Sequence, residues 1–233
     1  RCDMAWQAPE GMDEYLKPTE LCDCDNAELQ SKAREIIKDV ETPKEAALRI
    51  FYFVRDEIPF MMEDFDVKAS RTLKKRRGMC VNKTNLQVAL LRAVSIPARY
   101  HQRKVKRECP KGIVSSRVYN RMPEIFWFDP NCECYLSGKW VACDSVYDKA
   151  LYEAILQAGL VTKKQIPTID WDGEGDLDIA TPWITEDVGS FSSLDEVFKK
   201  ALKEAYPPNV LTRLLGRFFY ARANRQTDAL RKG

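Results

Sequence analysis

The sequence predicts an α+β fold in which helices pack around a short antiparallel sheet. Three observations carry that prediction: helical periodicity across residues 26–94, strand and hairpin signals between residues 98 and 144, and helical periodicity again beyond residue 149. Strands gathered in the middle of the chain, instead of alternating with helices, argue against a doubly wound parallel sheet. A chain of 233 residues buries enough surface to fold without a disulfide or a metal.

The elements follow in order. Residues 1–24 are punctuated by Pro9, Gly11 and Pro18 and read as irregular. Asp25 or Asn26 caps a helix running to about residue 40, with Leu29, Ala33, Ile36 and Ile37 on one face. Thr42-Pro43-Lys44-Glu45 is a capping box with proline at the first helical position. It opens a second helix bearing Ala46, Ile50, Phe53, Val54 and Ile58, which Pro59 stops. After a loop and the basic stretch Thr72-Leu73-Lys74-Lys75-Arg76-Arg77, Gly78 breaks the chain and Met79-Cys80 opens a third helix. Its apolar residues (Val81, Leu86, Val88, Ala89, Leu90, Leu91, Ala93, Val94) surround the axis, as in a helix buried on all sides.

Residues 98–105 read as a strand and 106–124 as a loop. Cys132-Glu133-Cys134-Tyr135-Leu136, Ser137-Gly138 and Lys139-Trp140-Val141-Ala142-Cys143-Asp144 read as a hairpin with a glycine-containing turn. A helix at about 149–158 follows, then an acidic loop over 165–192 interrupted by glycine and proline. Ser193-Leu194-Asp195-Glu196 is a second capping box, opening a helix to about 206. Pro207-Pro208 breaks it before an arginine-rich helix at about 209–231. The expected division is an irregular segment 1–24, a core 25–160, and an extension 161–233 of acidic loop and helices.

Composition narrows the function. The 37 basic and 35 acidic side chains leave a net charge of +2, which argues against nucleic acid or an acidic membrane as the main partner. No apolar run approaches a membrane span, and no secretory signal is read, although the sequence begins at Arg1. A single histidine, His101, excludes HExxH peptidases and every site with several imidazole ligands. Eight cysteines stand at 2, 22, 24, 80, 109, 132, 134 and 143. Two of their pairs, Cys22/Cys24 and Cys132/Cys134, are CxC neighbours that rarely bridge to each other, so reduced thiols and a cytoplasmic setting are expected.

The chemistry is sought at Arg76-Arg77-Gly78-Met79-Cys80-Val81-Asn82-Lys83. A cysteine in the first turn of a helix meets free N–H groups and the positive end of the dipole, which favour a thiolate. Arg76, Arg77 and Lys83 push the same way if they face it. The competing reading is a buried cysteine that packs.

Gly78-Met79-Cys80, followed by Leu90-Leu91-Arg92-Ala93-Val94-Ser95-Ile96-Pro97-Ala98-Arg99 and by the hairpin from Cys132 to Asp144, resembles the transglutaminase-like core. That resemblance covers about residues 25–150 and implies a papain-like fold, with a Cys-His-Asp triad for acyl transfer or hydrolysis at amides. It places Cys80 as nucleophile and Asp144 as the carboxylate that orients the base. The sequence departs from the pattern at the base itself, because the family's histidine falls on Asp129, with no histidine at Phe128, Pro130 or Asn131. Aspartate accepts a proton, but it cannot donate and accept at once as imidazole does.

Three readings follow, in this order. The first is an enzyme with an altered base, using Cys80, Asp144 and Asp129, with Tyr100 or a protonated Asp129 as acid. The second is a former enzyme kept as a binding or scaffold module. The third is a relocated triad using His101. Gln102, Tyr100, Arg77 and Lys83 are the expected substrate-lining residues. The expected partner is a small-molecule or peptide substrate, with no organic cofactor.

Weaker signals remain. Asp170-Trp171-Asp172-Gly173-Glu174-Gly175-Asp176-Leu177-Asp178 has the alternating oxygens of a calcium loop, but Thr181 replaces the twelfth-position glutamate, so a solvated or substrate-shaping loop is preferred. The CxC pairs offer four thiolates to zinc, but the spacing is short and Cys132 and Cys134 read better as core. The run 74–77 and Arg213, Arg217, Arg222, Arg225 and Arg231 read as solvated faces or as anchors for an anionic substrate. Leu214, Leu215, Phe218, Phe219 and Tyr220 suggest that the last helix packs on the core or on a second copy in a homo-oligomer.

Overall fold

A computed structural model describes residues 6–109, 113, 119–120, 123–195, 198 and 210–232, with backbone alone at 127, 128 and 210–219. Outside the described residues lie Cys2, Pro110, Gly112, most of the helix expected at 193–206 and Pro207-Pro208. The side chains of Arg213, Leu214, Leu215, Arg217, Phe218 and Phe219 lie outside them too.

The fold is α+β. Helices α1 (Ala27–Ile36), α2 (Pro43–Glu57), α3 (Ala69–Lys75) and α4 (Cys80–Ala93) precede strands β1 (Ala98–Lys106), β2 (Ile125–Leu136) and β3 (Lys139–Ala142). Helix α5 (Lys149–Gln157), strand β4 (Ile184–Phe191) and helix α6 (Val210–Arg231) complete the order. The strands form one antiparallel sheet in the order β3-β2-β1-β4.

Local chemistry starts these elements where the sequence places them. Asn26 Oδ1 accepts from the backbone N–H of Glu28 and Leu29 at 3.0 and 3.2 Å and opens α1. Thr42 Oγ1 accepts from Glu45 N at 3.2 Å, with Pro43 in the first turn of α2. Ser137 and Gly138, at φ 51° and 85°, make the turn between β2 and β3.

Helix α4 is buried from Val81 to Arg92 and runs across the sheet at the centre of the core. It carries polar residues that serve as fasteners. Arg92 donates to the carbonyls of Ala98, Lys17 and Ser192 at 2.8, 2.7 and 2.6 Å, so one guanidinium ties the N-terminal segment, the start of β1 and the chain after β4. Lys83 Nζ donates to the carbonyls of Arg55 and Ile58 at 3.1 and 2.6 Å and satisfies the end of α2.

One expectation needs correction. The stretch 165–192 is not wholly loop, because Ile184–Phe191 pairs with β1 as an edge strand. The extension therefore completes the core sheet instead of following it. Helix α3 takes in the first part of the basic stretch, to Lys75, and buries Ala69, Thr72 and Leu73; Arg76 ends it in the left-handed region at φ 53°. Helix α6 folds back on its own chain: Asn224 exchanges hydrogen bonds with Met62 N and O at 2.7 and 3.0 Å, and Arg231 pairs with Asp148 at 2.6 Å.

Among the described residues no helix is long and apolar enough to cross a membrane.

Candidate active site

The start of α4 is built from backbone. Met61 N donates to Gly78 O at 3.0 Å, and Gly78 N donates to Pro59 O at 3.3 Å. A side chain at position 78 would put its Cβ 2.7 Å from Asn82 Cβ, so only glycine lets the chain pass. Asn82 is fully buried; its Oδ1 accepts from Met79 N at 3.1 Å and its Nδ2 donates to Asp64 O at 2.9 Å. Cys80 follows as the first residue of α4, half-buried.

The expected thiolate is not favoured there. Burial raises the Cys80 thiol well above its ordinary range, and the negative charges of Asp129 and Asp144 add to this; the Val81 N–H opposes them. The basic residues expected to help are engaged elsewhere. Arg76 pairs with Glu57 at 2.6 Å, Arg77 is half exposed and reaches Glu63 at 3.4 Å, and Lys83 is turned into the end of α2. Burial lowers the Lys83 ammonium to about 7. Lys83 is thus turned away from the site it was expected to line, while Arg77 leans toward Glu63.

The residue that does meet the candidate carboxylates is Arg103. Its Nη2 donates to Asp129 Oδ2 at 2.6 Å and lies 3.9 Å from Asp144 Oδ2, while its Nη1 pairs with Asp178 Oδ2. The guanidinium side chain is only 3% exposed. Burial raises the Asp129 carboxyl against the pull of Arg103. Asp144 is pushed up to about 7 by burial, with Arg103 opposing and Asp178 and Asp129 adding to the rise. Val146 N donates to Asp144 Oδ1 at 3.1 Å and Ile179 N to Oδ2 at 3.3 Å. Cys109 lies at the same cluster; burial and Asp129 raise its thiol, and its carbonyl accepts from Tyr147 Oη at 3.3 Å.

The other expected residues are placed elsewhere. His101 is on β1 with both ring nitrogens engaged, Nδ1 with Glu133 at 2.8 Å and Nε2 with Asp187 at 2.7 Å. These partners raise it to about 8 and leave neither nitrogen for a thiol, which removes the relocated triad. Tyr100 is wholly buried, and its hydroxyl donates to Asn85 Oδ1 at 2.7 Å, more than a turn along α4 from Cys80. It is a core fastener and not an acid. Gln102 is buried on β1 beside Arg103 and donates to the Arg103 carbonyl at 3.1 Å.

Sequence reasoning missed Arg103, Cys109, Tyr147 and Asp178 as neighbours of the site. Alternation along β1 puts Arg103 on the outward face with His101. Instead the pairing with β4 shifts between Gln102 and Arg103 and the pairing with β2 between Arg103 and Val105, so both Gln102 and Arg103 are buried. Asp178 arrives through a short parallel bridge, where Asp144 N donates to Leu177 O at 3.0 Å and Leu177 N to Ala142 O at 2.9 Å. No local sequence signal marks that contact.

The carboxylates of the 170–178 stretch are engaged by protein partners, most of them outside the loop. Asp172 accepts from Glu174 N and Gly175 N, Asp176 from Ala142 N, and Asp178 pairs with Arg103. Cys132, Cys134 and Cys143 pack in the core, with Cys143 Sγ 3.8 Å from Cys134 Sγ. Among the described residues no group of three or more cysteine, histidine or acidic side chains is arranged to hold a metal ion.

A family model described as the transglutaminase-like superfamily matches residues 30–145. Among solved structures, a proposed cysteine protease from Cytophaga hutchinsonii is similar at 23% identity and a TM-score of 0.48, over 59% of this chain and 43% of that one. A proposed protease from Parabacteroides distasonis is similar at 12% identity and a TM-score of 0.38, over 56% of this chain and 24% of that one. The chain thus spans less than half the length of either neighbour. No curated protein matches the sequence.

Proposed function

Residues 30–145 belong to the transglutaminase-like superfamily, and from that premise we propose that the chain performs cysteine-dependent chemistry at an amide or related carbonyl, with Asp129 in the place of the imidazole. The observation that supports this most is the placing of Asp129 and Asp144 close enough to Cys80 for both carboxylates to raise its thiol, with Asp129 also raising Asp144. A thiol held neutral beside a carboxylate of raised basicity suits concerted proton removal rather than a standing thiolate.

In such a reaction the sulfur bonds to the carbonyl carbon, the π electrons move to oxygen, and Asp129 takes the thiol proton. Collapse of the adduct breaks the carbon–nitrogen bond, and the nitrogen departs with a proton. The thioester left behind passes its acyl group to water or an amine and the thiol is restored. The substrate is a small molecule or peptide, and no organic cofactor is required.

The neutral thiol also favours a second reading, a binding module that has lost its chemistry. Acylation of Cys80 by p-nitrophenyl acetate separates the two. The enzyme reading expects acetylation at Cys80 near neutral pH, none in Cys80→Ser, and a rate in Asp129→Asn lower by about 10²-fold or more. If Asp129→Asn reacts faster, the carboxylate only repels the thiolate and the module reading stands.

A further inference from the structure

A carboxylate serving as base in a buried site must be held against its own tendency to neutralise. The groups that face it come from every surrounding element. Arg103 comes from the irregular turn of β1, Asp129 from β2, Asp144 from the chain after β3, and Asp178 from the segment bridged to it. Cys80 comes from α4 and Cys109 and Tyr147 from the adjoining loops. Lys83 on α4 feels Asp144 too, but it is bound to the α2 carbonyls and feels Asp148 and Arg231 more strongly.

The charge count is uneven. Three carboxylates share one guanidinium; Arg103 and Asp144 are 3% and 1% exposed against 14% for Asp129 and 19% for Asp178, so water relieves the excess negative charge least at Asp144. Arg103 grips Asp129 with Nη2, and its Nε also donates to the Asp129 carbonyl at 3.3 Å, which fixes both the carboxyl and its backbone. Its remaining nitrogen, Nη1, is taken by Asp178. Asp144 lies at the edge of the guanidinium's reach and relies on the N–H groups of Val146 and Ile179.

We propose that Arg103 is the positioning residue for the Asp129 base, and that Asp178, its competitor for the same guanidinium, makes the cluster keep one carboxyl proton on Asp144 for delivery to the departing nitrogen. The inference rests on the proposed thiol chemistry and names the acid that chemistry lacks. As the carbon–nitrogen bond breaks, its electron pair takes the Asp144 proton. The proton that Asp129 received from the thiol then passes to the Asp144 carboxylate, so the cluster returns to its starting charge. The rise of Asp144 to about 7 accords with the count.

The test uses protein carrying ¹³C at the aspartate γ-carboxyls, titrated by NMR from about pH 4 to 9. The expected result is one buried carboxyl with its midpoint near neutrality, absent in Asp144→Asn and lowered by about one pH unit or more in Asp178→Asn. Asp178→Ser reads the same quantity should the amide variant fold poorly. A wild type whose aspartates all titrate below about pH 5 overturns the inference, as does a midpoint that Asp178→Asn leaves in place. The positioning role is read from the pH profile of Cys80 acylation by p-nitrophenyl acetate. Arg103→Met should lose about tenfold or more and move the profile, and Arg103→Lys should restore part of both; equal, unshifted profiles count against it. Acylation without the titrating carboxyl sinks the inference and spares the reading beneath it. Titration without acylation sinks that reading, and with it the proton's destination.

Discussion

His101 offers the most direct test of the electrostatics of this fold, because it is the chain's sole histidine. Its ring bridges Glu133 on β2 and Asp187 on β4, and Glu133 also takes Arg99 Nε at 2.6 Å and Ser190 Oγ at 3.0 Å. The ring therefore latches three strands together while it carries a proton. Its pKa rises from 6.5 to about 8 on folding. A group raised in the folded state contributes stability that is complete below its unfolded value and lost as pH climbs through the folded one. The loss thus falls between about pH 6.5 and 8. The full shift corresponds to about 2 kcal/mol, and partial exposure of the ring and of Asp187 reduces this to about 1 kcal/mol.

The wild-type curve alone is not diagnostic. Asp144, raised to about 7, also loses stability as pH rises toward neutrality, while Lys83, lowered to about 7, gains it above that point. The difference between wild type and His101→Gln isolates the ring. Urea unfolding at about pH 6 and pH 9 should show the wild type's advantage shrinking by about 1 kcal/mol at the higher pH. One imidazole resonance, needing no assignment, should titrate with a midpoint about 8. A midpoint at or below 6.5, or an advantage equal at both pH values, refutes the latch.

Two further outcomes are expected. Gly78→Ala should destabilise by about 1–3 kcal/mol in chemical denaturation, because the new Cβ meets Asn82 Cβ at 2.7 Å where neither can rotate away; a variant as stable as wild type would show that the helix start adjusts freely. Lys83→Met leaves the carbonyls of Arg55 and Ile58 without their donor and should cost about 1–3 kcal/mol. Because burial depresses the Lys83 ammonium, the wild type is relieved of a buried charge above about pH 7. The cost of Lys83→Met should therefore be larger at pH 9 than at pH 6, and a reversed order would count against the assignment.

The helices were legible because their signals are local. Asn26 and Thr42 cap where the sequence places them, and the all-round apolar pattern of α4 foretold its burial. The hairpin from Cys132 was legible through Ser137-Gly138, whose positive φ angles a turn requires. Strand β4 was not, because Ile184–Phe191 is an exposed edge rich in charged and small residues and acquires strand form only by pairing with β1. The site divided in the same way. The family resemblance pointed to Cys80, Asp129 and Asp144 as candidates, whereas Arg103 is inward only because the ladder slips beside it. Tyr100 and Lys83 were misread as lining because burial, not residue type, decides whether a polar tip meets substrate or backbone; theirs meet Asn85 and the end of α2.

In the proposed reading, Asp129 in the place of an imidazole changes the sign of the field at the sulfur. An imidazolium would stabilise a thiolate, while a carboxylate opposes it, and the cation that remains close by is Arg103. Arg103 does not supply a positive charge to the sulfur, because its Nε and Nη2 are taken up by Asp129 and its Nη1 by Asp178. Burial and the two carboxylates therefore hold the thiol neutral, and in the proposed reading the same arrangement leaves Asp129 available as its base. The proposed chemistry at Cys80 moves the proton and forms the sulfur bond together. A site of this kind should respond weakly to reagents that need a preformed thiolate and more strongly to carbonyl compounds that accept the proton transfer in step. Comparing iodoacetamide alkylation with p-nitrophenyl acetate acylation at one pH measures that contrast. Alkylation at neutral pH as fast as that of a free cysteine would show that the sulfur is already ionised and that the carboxylates do not govern it.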